Sequence, residues 1–171
     1  SILNEVSLAV TQFPSAASPP EISRNVYEII SRKTGVKDPY RKIKQRCNRQ
    51  ALSLLPEMRS LIAASRDRLL TAIKLSIAGN VIDFGANANF DLKKDIDRIL
   101  SQELAINHYR QFQSALDKAR RILYLADNAG ETVFDRLLIE ELRKPVVYAV
   151  REKPIINDAL GEDALSAGID E

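Results

Sequence analysis

The length, composition and charge of the chain exclude several classes of protein. It has 171 residues, of which 45% are hydrophobic and 28% are charged, and its formal net charge is +2. A chain of this length can bury a sizeable core, and so small a net charge gives no reason to expect a nucleic-acid or membrane partner. The apolar run at 1–10 includes Asn4 and Glu5 and has no basic leader, so it does not resemble a signal peptide. No apolar stretch approaches the ~18 residues of a membrane span, and we expect a cytoplasmic protein.

Cysteine and histidine are scarce. Cys47 and His108 are the single residues of their types, which excludes disulfide frameworks, structural zinc and Cys/His nucleophile pairs. Cys47 lies in a basic helical pattern and is predicted to pack against another helix, and His108 is predicted to be structural. Any metal ion must therefore be held by oxygen ligands.

The residues up to about 119 are predicted to be helical, because apolar residues recur every three or four positions and strand-like alternation is absent. After a linker at 12–20, Ser18 caps a helix that Gly35 ends. A second helix begins near Asp38, and Pro56 is expected to kink or break it. Further helices are predicted at 66–78, 91–103 and 106–119, with a loop rich in glycine and asparagine at 79–89.

The pattern changes at Arg121. A short, continuous apolar run at 122–126 is typical of a buried parallel strand, a helix is predicted at 132–143, and a second strand at 145–150. This strand–helix–strand unit predicts an α/β fold with a helical domain at 1–119 and the start of an α/β domain at 120–171. Two strands make an incomplete sheet, so we expect the fold to be completed by residues beyond Glu171.

Polar residues follow both predicted strands. Asp127 and Asn128 come after the first strand, and Asn157 and Asp158 follow the second. The carboxyl ends of parallel strands meet at one edge of a sheet, where ligands bind, so we expect these residues to lie close together. Carboxylate and amide oxygens suit Mg²⁺ or Mn²⁺, and the helix that begins after Gly130 offers N–H groups to an anion.

Other interpretations of these residues stay open. Asp and Asn are the usual helix caps, so Asp127, Asn128, Asn157 and Asp158 could serve only in that role. A dinucleotide site or a P-loop is weaker, because the first strand–helix turn has only Gly130 where those motifs need several glycines.

Three motifs of the chain occur in the same order in a known family. They are Gly79–Gly85, Ile122–Asp135 and Lys153–Ala159. Together they resemble the damage-control phosphatases, which share the metal-binding domain also named for acidic-residue carboxyl methyltransferase, and they are most similar to the stand-alone archaeal and bacterial members. The resemblance implies a helical N-terminal domain and a three-layer α/β/α Rossmann-like domain, here incomplete at the C-terminus.

The resemblance also implies roles for particular residues. Asp127, Asn128 and Asp158 would be the metal ligands, with Asp127 and Asp158 catalytic. Four further residues would bind the substrate, namely Glu131 and Asn157 in the α/β domain and Asn80 and Asp83 across the cleft. The implied activity is hydrolysis of phosphate monoesters of small, damaged or side-product metabolites with Mg²⁺, Mn²⁺, Co²⁺ or Ni²⁺, and the oligomeric state is undetermined.

Two other functions are less favoured by the sequence. Carboxyl methyl transfer from S-adenosylmethionine is disfavoured, because the chain lacks a glycine-rich cofactor turn. A non-enzymatic docking surface for a partner or RNA would use the basic helix carrying Arg41, Lys42, Lys44, Arg46 and Arg49. Such a run is more often a solvated helix face.

Overall fold

The computed structural model describes residues 1–81 and 92–170. In these ranges, six helices precede the first of two strands, one helix lies between the strands in the chain, and another follows them. The first helices are α1 (Ile2–Thr11), α2 (Pro19–Thr34), α3 (Arg41–Ala64), α4 (Arg68–Val81), α5 (Leu92–Ser101) and α6 (Tyr109–Lys118). They are followed by strand β1 (Ile122–Leu125), a 3₁₀ turn (Ala129–Glu131), α7 (Thr132–Leu142), strand β2 (Val146–Ala149) and α8 (Gly161–Ala167).

Helix α2 begins and ends as its sequence predicts. The carboxylate of Glu21 accepts hydrogen bonds from the Ser18 backbone N–H at 2.7 Å and from the Ser18 hydroxyl at 2.8 Å. This arrangement satisfies the backbone N–H of the residue that caps the helix. Gly35 follows the helix at φ 71°, a left-handed conformation that glycine adopts without a steric penalty.

Pro56 was expected to kink or break its helix, and the helix does not break there. Helix α3 runs from Arg41 to Ala64 with Pro56 inside it. Its buried face includes Ala51 before the proline and Met58 and Ile62 after it. Packing on both sides of Pro56 holds the helix together although the proline removes one backbone donor.

Helix α4 extends beyond its predicted end at residue 78. It continues to Val81, so Gly79 and Asn80 are helical rather than part of a loop. Gly79 packs directly against Phe134 of α7, since a Cβ at Gly79 would lie 2.9 Å from the Phe134 ring. The helix thus continues as far as its packing against α7 requires, and the remainder of the predicted loop lies outside the described residues.

Strands β1 and β2 pair in parallel, as predicted, in a register that runs from Ile122 opposite Val146 to Leu125 opposite Ala149. The prediction of a fully buried strand is wrong. Leu123 and Leu125 are 65% and 71% exposed, while Ile122 on the other face packs against the core. Side chains alternate between the two faces of a strand, and the described residues cover one face only. The chain is mixed α/β and mostly helical, and the three-layer arrangement stays a prediction.

One cluster of apolar side chains connects the long helices with α7. Its buried members are Ala51, Met58, Ile62, Ala72, Leu75, Ala78, Ile96, Val133, Phe134, Leu137, Leu138, Leu142 and Ala167. They come from both sides of residue 120, so the two predicted domains share this core, and the boundary between 119 and 120 stays a prediction. Among the described helices, none combines the length and apolar character needed to cross a bilayer.

Candidate functional site

The loops that follow the two strands are joined by backbone hydrogen bonds. Ala159 N–H donates to the Asp127 carbonyl at 2.7 Å, and Ala129 N–H donates to the Asn157 carbonyl at 2.9 Å. Asn128 and Asp158 thereby form an isolated antiparallel bridge. These contacts bring Asn157 and Asp158 next to Asp127 and Asn128, as the order of strands predicted.

Glu131 connects Asn128 to the end of helix α4. The carboxylate accepts a hydrogen bond from Asn128 Nδ2 at 2.5 Å and another from Asn80 Nδ2 at 3.3 Å. Glu131 is only 8% exposed, and burial raises the pKa of its carboxyl above the usual value, against the opposing effect of the Asn128 donor. Because the Asn128 amide nitrogen is engaged by Glu131, its Oδ1 is the atom left for a ligand.

Asp158 is held in a similar way by a residue that the sequence did not single out. Arg151, two residues past the end of β2, donates from Nε to Asp158 Oδ2 at 2.8 Å. The Asp158 side chain is 16% exposed. One carboxylate oxygen is therefore bound to a guanidinium, and Oδ1 remains for another partner.

The oxygen donors of these residues suit a hard divalent cation. They do not form a cluster of three or more carboxylates. Among residues 1–81 and 92–170, no group of three His, Cys, Asp or Glu side chains is close enough to hold a metal ion. The candidate set has two carboxylates, Asp127 and Asp158, and the amide oxygen of Asn128. Such a set leaves coordination positions for water and substrate, as Mg²⁺ sites commonly do.

An open pocket of about 360 Å³ adjoins these loops. Asn80, Asp127 and Glu131 line it, so three of the predicted site residues face one cavity. Its remaining lining comes from Ser76, Ile77, Tyr124, Leu125 and Asp135. The pocket lies between helix α4 and strand β1, and its polar lining residues carry carboxylate, amide and hydroxyl groups.

A buried network forms one side of this pocket. Asp135 accepts hydrogen bonds from the hydroxyls of Tyr124 at 2.5 Å, Tyr148 at 2.7 Å and Ser76 at 3.2 Å. Burial raises the pKa of the Asp135 carboxyl, and the three hydroxyl donors oppose that shift. Burial and the Asp135 charge also raise the pKa of both tyrosines. The network ties both strands to helix α4.

The anion site predicted at the helix N-terminus is largely occupied by the protein's own carbonyls. The N–H of Ala129 bonds to Asn157, and the N–H of Glu131 donates to the Asn128 carbonyl at 3.2 Å. Thr132 N–H donates to the Ala129 carbonyl. These three amides are therefore used to shape the turn, and they are not available to a phosphate oxygen in this conformation.

The site residues predicted from the sequence did not include Ser76, Asp135 or Arg151. The spacing of the first two gave weak evidence for their positions. Ser76 precedes Asn80 by four residues, which places both on one face of a helix, and Asp135 follows Glu131 by the same interval. No local pattern predicted a role for Arg151, because its contact with Asp158 depends on how the loop after β2 folds. Asp83, predicted to face the cleft, lies outside the described residues.

Comparisons with known proteins identify the family. A family model described as the damage-control phosphatase ARMT1-like domain matches residues 1–171. An uncharacterized protein of Methanocaldococcus jannaschii is 38% identical over 167 residues, covering 93% of this chain and 55% of that protein. A damage-control phosphatase of Archaeoglobus fulgidus is 35% identical over 156 residues, covering 87% of this chain and 52% of that protein.

A solved structure has the same fold. The crystal structure of a DUF89 family protein from Pyrococcus horikoshii superposes with a TM-score of 0.81 at 29% identity, covering 98% of this chain and 61% of that one. The chain thus spans about half the length of the first two relatives. Because the family model matches every residue and the fold agrees, the chain belongs to the damage-control phosphatase ARMT1-like domain family.

Proposed function

We propose that this protein is a metal-dependent phosphatase that hydrolyses phosphate monoesters of small, damaged or side-product metabolites. Membership of the family supports phosphatase activity. The observation that carries the finer proposal is the bridge between Asn128 and Asp158. It joins the two loops at the carboxyl edge of the parallel sheet, where α/β proteins bind their ligands.

The proposed metal ligands are Asp127, Asn128 and Asp158. Glu131 engages the amide nitrogen of Asn128, and Arg151 engages one oxygen of Asp158, so Asn128 and Asp158 each keep one oxygen that is free of these partners. The all-oxygen set fits Mg²⁺, Mn²⁺, Co²⁺ or Ni²⁺ better than zinc. Such an ion would neutralise charge on the phosphoryl group and supply an activated water.

Other residues are proposed to bind the substrate. Glu131 and Asn80 line the pocket beside Asp127 and would contact the part of the substrate that is not phosphate. Asn157 and Asp83 complete the proposed substrate-binding set. Asp127 and Asp158 are the proposed catalytic residues, since each would contact the metal and the reacting phosphoryl group.

Substitution of Asp127 tests the proposal. The purified protein is assayed against a panel of sugar and cofactor phosphates with Mg²⁺, Mn²⁺, Co²⁺ and Ni²⁺, and metal binding is measured by calorimetry. Asp127→Ala is expected to lose both metal binding and metal-dependent hydrolysis. Asp117→Ala, which removes an exposed carboxylate on α6, is the matched control and is expected to keep both. Full metal-dependent activity in Asp127→Ala contradicts the assignment.

A further inference from the structure

A buried ionic cluster joins helix α3 to helix α8. Lys44 is 1% exposed, and its Nζ lies 2.9 Å from Asp38 Oδ2 and 3.2 Å from Asp163 Oδ2. Asn48, one helical turn further along α3, donates from Nδ2 to Asp163 Oδ1 at 2.8 Å. Lysine is almost never fully buried unless it is paired. The basic helix therefore contributes Lys44 to the interior and not to a solvated face.

The same carboxylate holds the end of the loop that carries Asp158. Asp163 Oδ2 accepts the backbone N–H of Leu160 at 2.9 Å. The preceding residue, Ala159, donates its N–H to the Asp127 carbonyl. Hydrogen bonds thus connect Lys44 and Asn48 through Asp163 to Leu160, two residues after Asp158.

The loop has an unfavourable backbone conformation. Ile156 has φ 46°, in the left-handed region that a β-branched side chain rarely adopts. It comes immediately before Asn157 and Asp158. Strain of this kind persists only where the surrounding structure holds it in place, so the loop needs contacts that fix it.

We propose that Lys44 and Asn48 are positioning residues that act through Asp163. They hold the loop at 155–160 in the strained conformation that places Asp158 beside Asn128. The role in metal binding rests on the proposed function, whereas the role in holding the loop does not. Through this cluster, helix α3 from the first half of the chain fixes the loop that carries Asp158.

Hydrogen exchange of the metal-free protein tests the holding role. In Asp163→Asn, Asn48→Ala and Lys44→Met, we expect amide exchange at 155–160 to accelerate at least tenfold more than exchange in the core helix α4. The matched control is Ile62→Ala, a buried residue of the same helix α3 that belongs to the apolar core. There, exchange in the loop and in α4 should change together, in step with any loss of thermal stability.

Manganese affinity tests the effect on the site. Partners outside the ligand shell typically change metal affinity 10- to 100-fold, so Asp163→Asn and Asn48→Ala should raise the Kd for Mn²⁺ at least about tenfold. Ile62→Ala should leave it within about twofold. If Lys44→Met fails to fold, Asn48→Ala decides, because it keeps the ion pair.

Unchanged loop exchange and unchanged Mn²⁺ affinity in Asp163→Asn and Asn48→Ala overturn the inference. Failure of the unmodified protein to bind Mn²⁺ contradicts the proposed function instead. In that case, exchange measured without metal still decides whether the cluster holds the loop.

Discussion

Gly79 offers a direct test of the packing that places Asn80 at the site. A Cβ at this position would lie 2.9 Å from Cγ and Cδ2 of Phe134 and 3.1 Å from its Cβ. Overpacking of this kind costs about 1–3 kcal/mol. Replacing a helical glycine by alanine returns roughly 0.8–1.0 kcal/mol. Gly79→Ala should therefore lower the free energy of unfolding by about 0–2 kcal/mol, which is at most ~8 °C in Tm.

Removing the aromatic ring separates these two effects. Phe134→Ala alone should cost about 3–5 kcal/mol, because Phe134 is completely buried. In that background the alanine at position 79 no longer meets a ring, and only the 3.1 Å contact with the Cβ of residue 134 remains to oppose the gain in helix propensity. The two substitutions should then show a coupling energy of about 1–3 kcal/mol in a double-mutant cycle.

Urea unfolding followed by circular dichroism measures each free energy. Gly161→Ala at the start of α8 is the matched control, since a Cβ there would have nothing within 4 Å. It should be neutral or slightly stabilising. An equal effect of Gly79→Ala in the presence and absence of the Phe134 ring would refute the reasoning, because it would show that the two residues do not compete for space.

Three other predictions concern the site and the sheet. Burial raises the pKa of Asp135 above 3.8 in the folded state. The stability that the raised pKa contributes is therefore complete below about pH 3.8 and is lost as the pH rises through the folded-state pKa. The stability of Asp135→Asn relative to the unmodified protein should therefore improve with rising pH in chemical denaturation, and a pH-independent difference contradicts this. Arg151→Met should change stability by less than about 1 kcal/mol, since the Arg151 side chain is half exposed. It should also weaken Mn²⁺ binding about 10- to 100-fold by calorimetry, and unchanged affinity argues against a role for Arg151. Leu123→Lys should alter the free energy of unfolding by no more than about 0.5 kcal/mol, because the side chain is 65% exposed. A loss above about 2 kcal/mol would show that another segment or molecule covers that face.

Local sequence patterns were sufficient for most helices, for both strands and for one part of the site. The pairing of Ser18 with Glu21 defines the start of α2, because a capping box needs only residues within one turn. The apolar runs before Asp127 and Asn157 predicted two parallel strands, and the geometry of parallel sheets then placed the following polar residues together. These inferences depend on periodicity and strand order, which a sequence displays directly.

Other features depended on contacts between distant parts of the chain. The continuity of α3 through Pro56 and the extension of α4 through Gly79 follow from packing against other helices, which local propensity does not contain. The exposure of Leu123 depends on what covers the second face of the sheet, not on the residues of the strand.

The sequence by itself determined which residues could supply oxygen ligands and in what order they occur. Tertiary structure alone decided how those residues are held. Glu131 accepts a hydrogen bond from Asn80 of α4, and Asp158 accepts one from Arg151. It also decided that Lys44 is buried rather than solvated, since its partner Asp163 is 119 positions away. Burial of a charged side chain requires an ion pair with an opposite charge. An ion pair between residues so far apart in the sequence forms only in the folded chain.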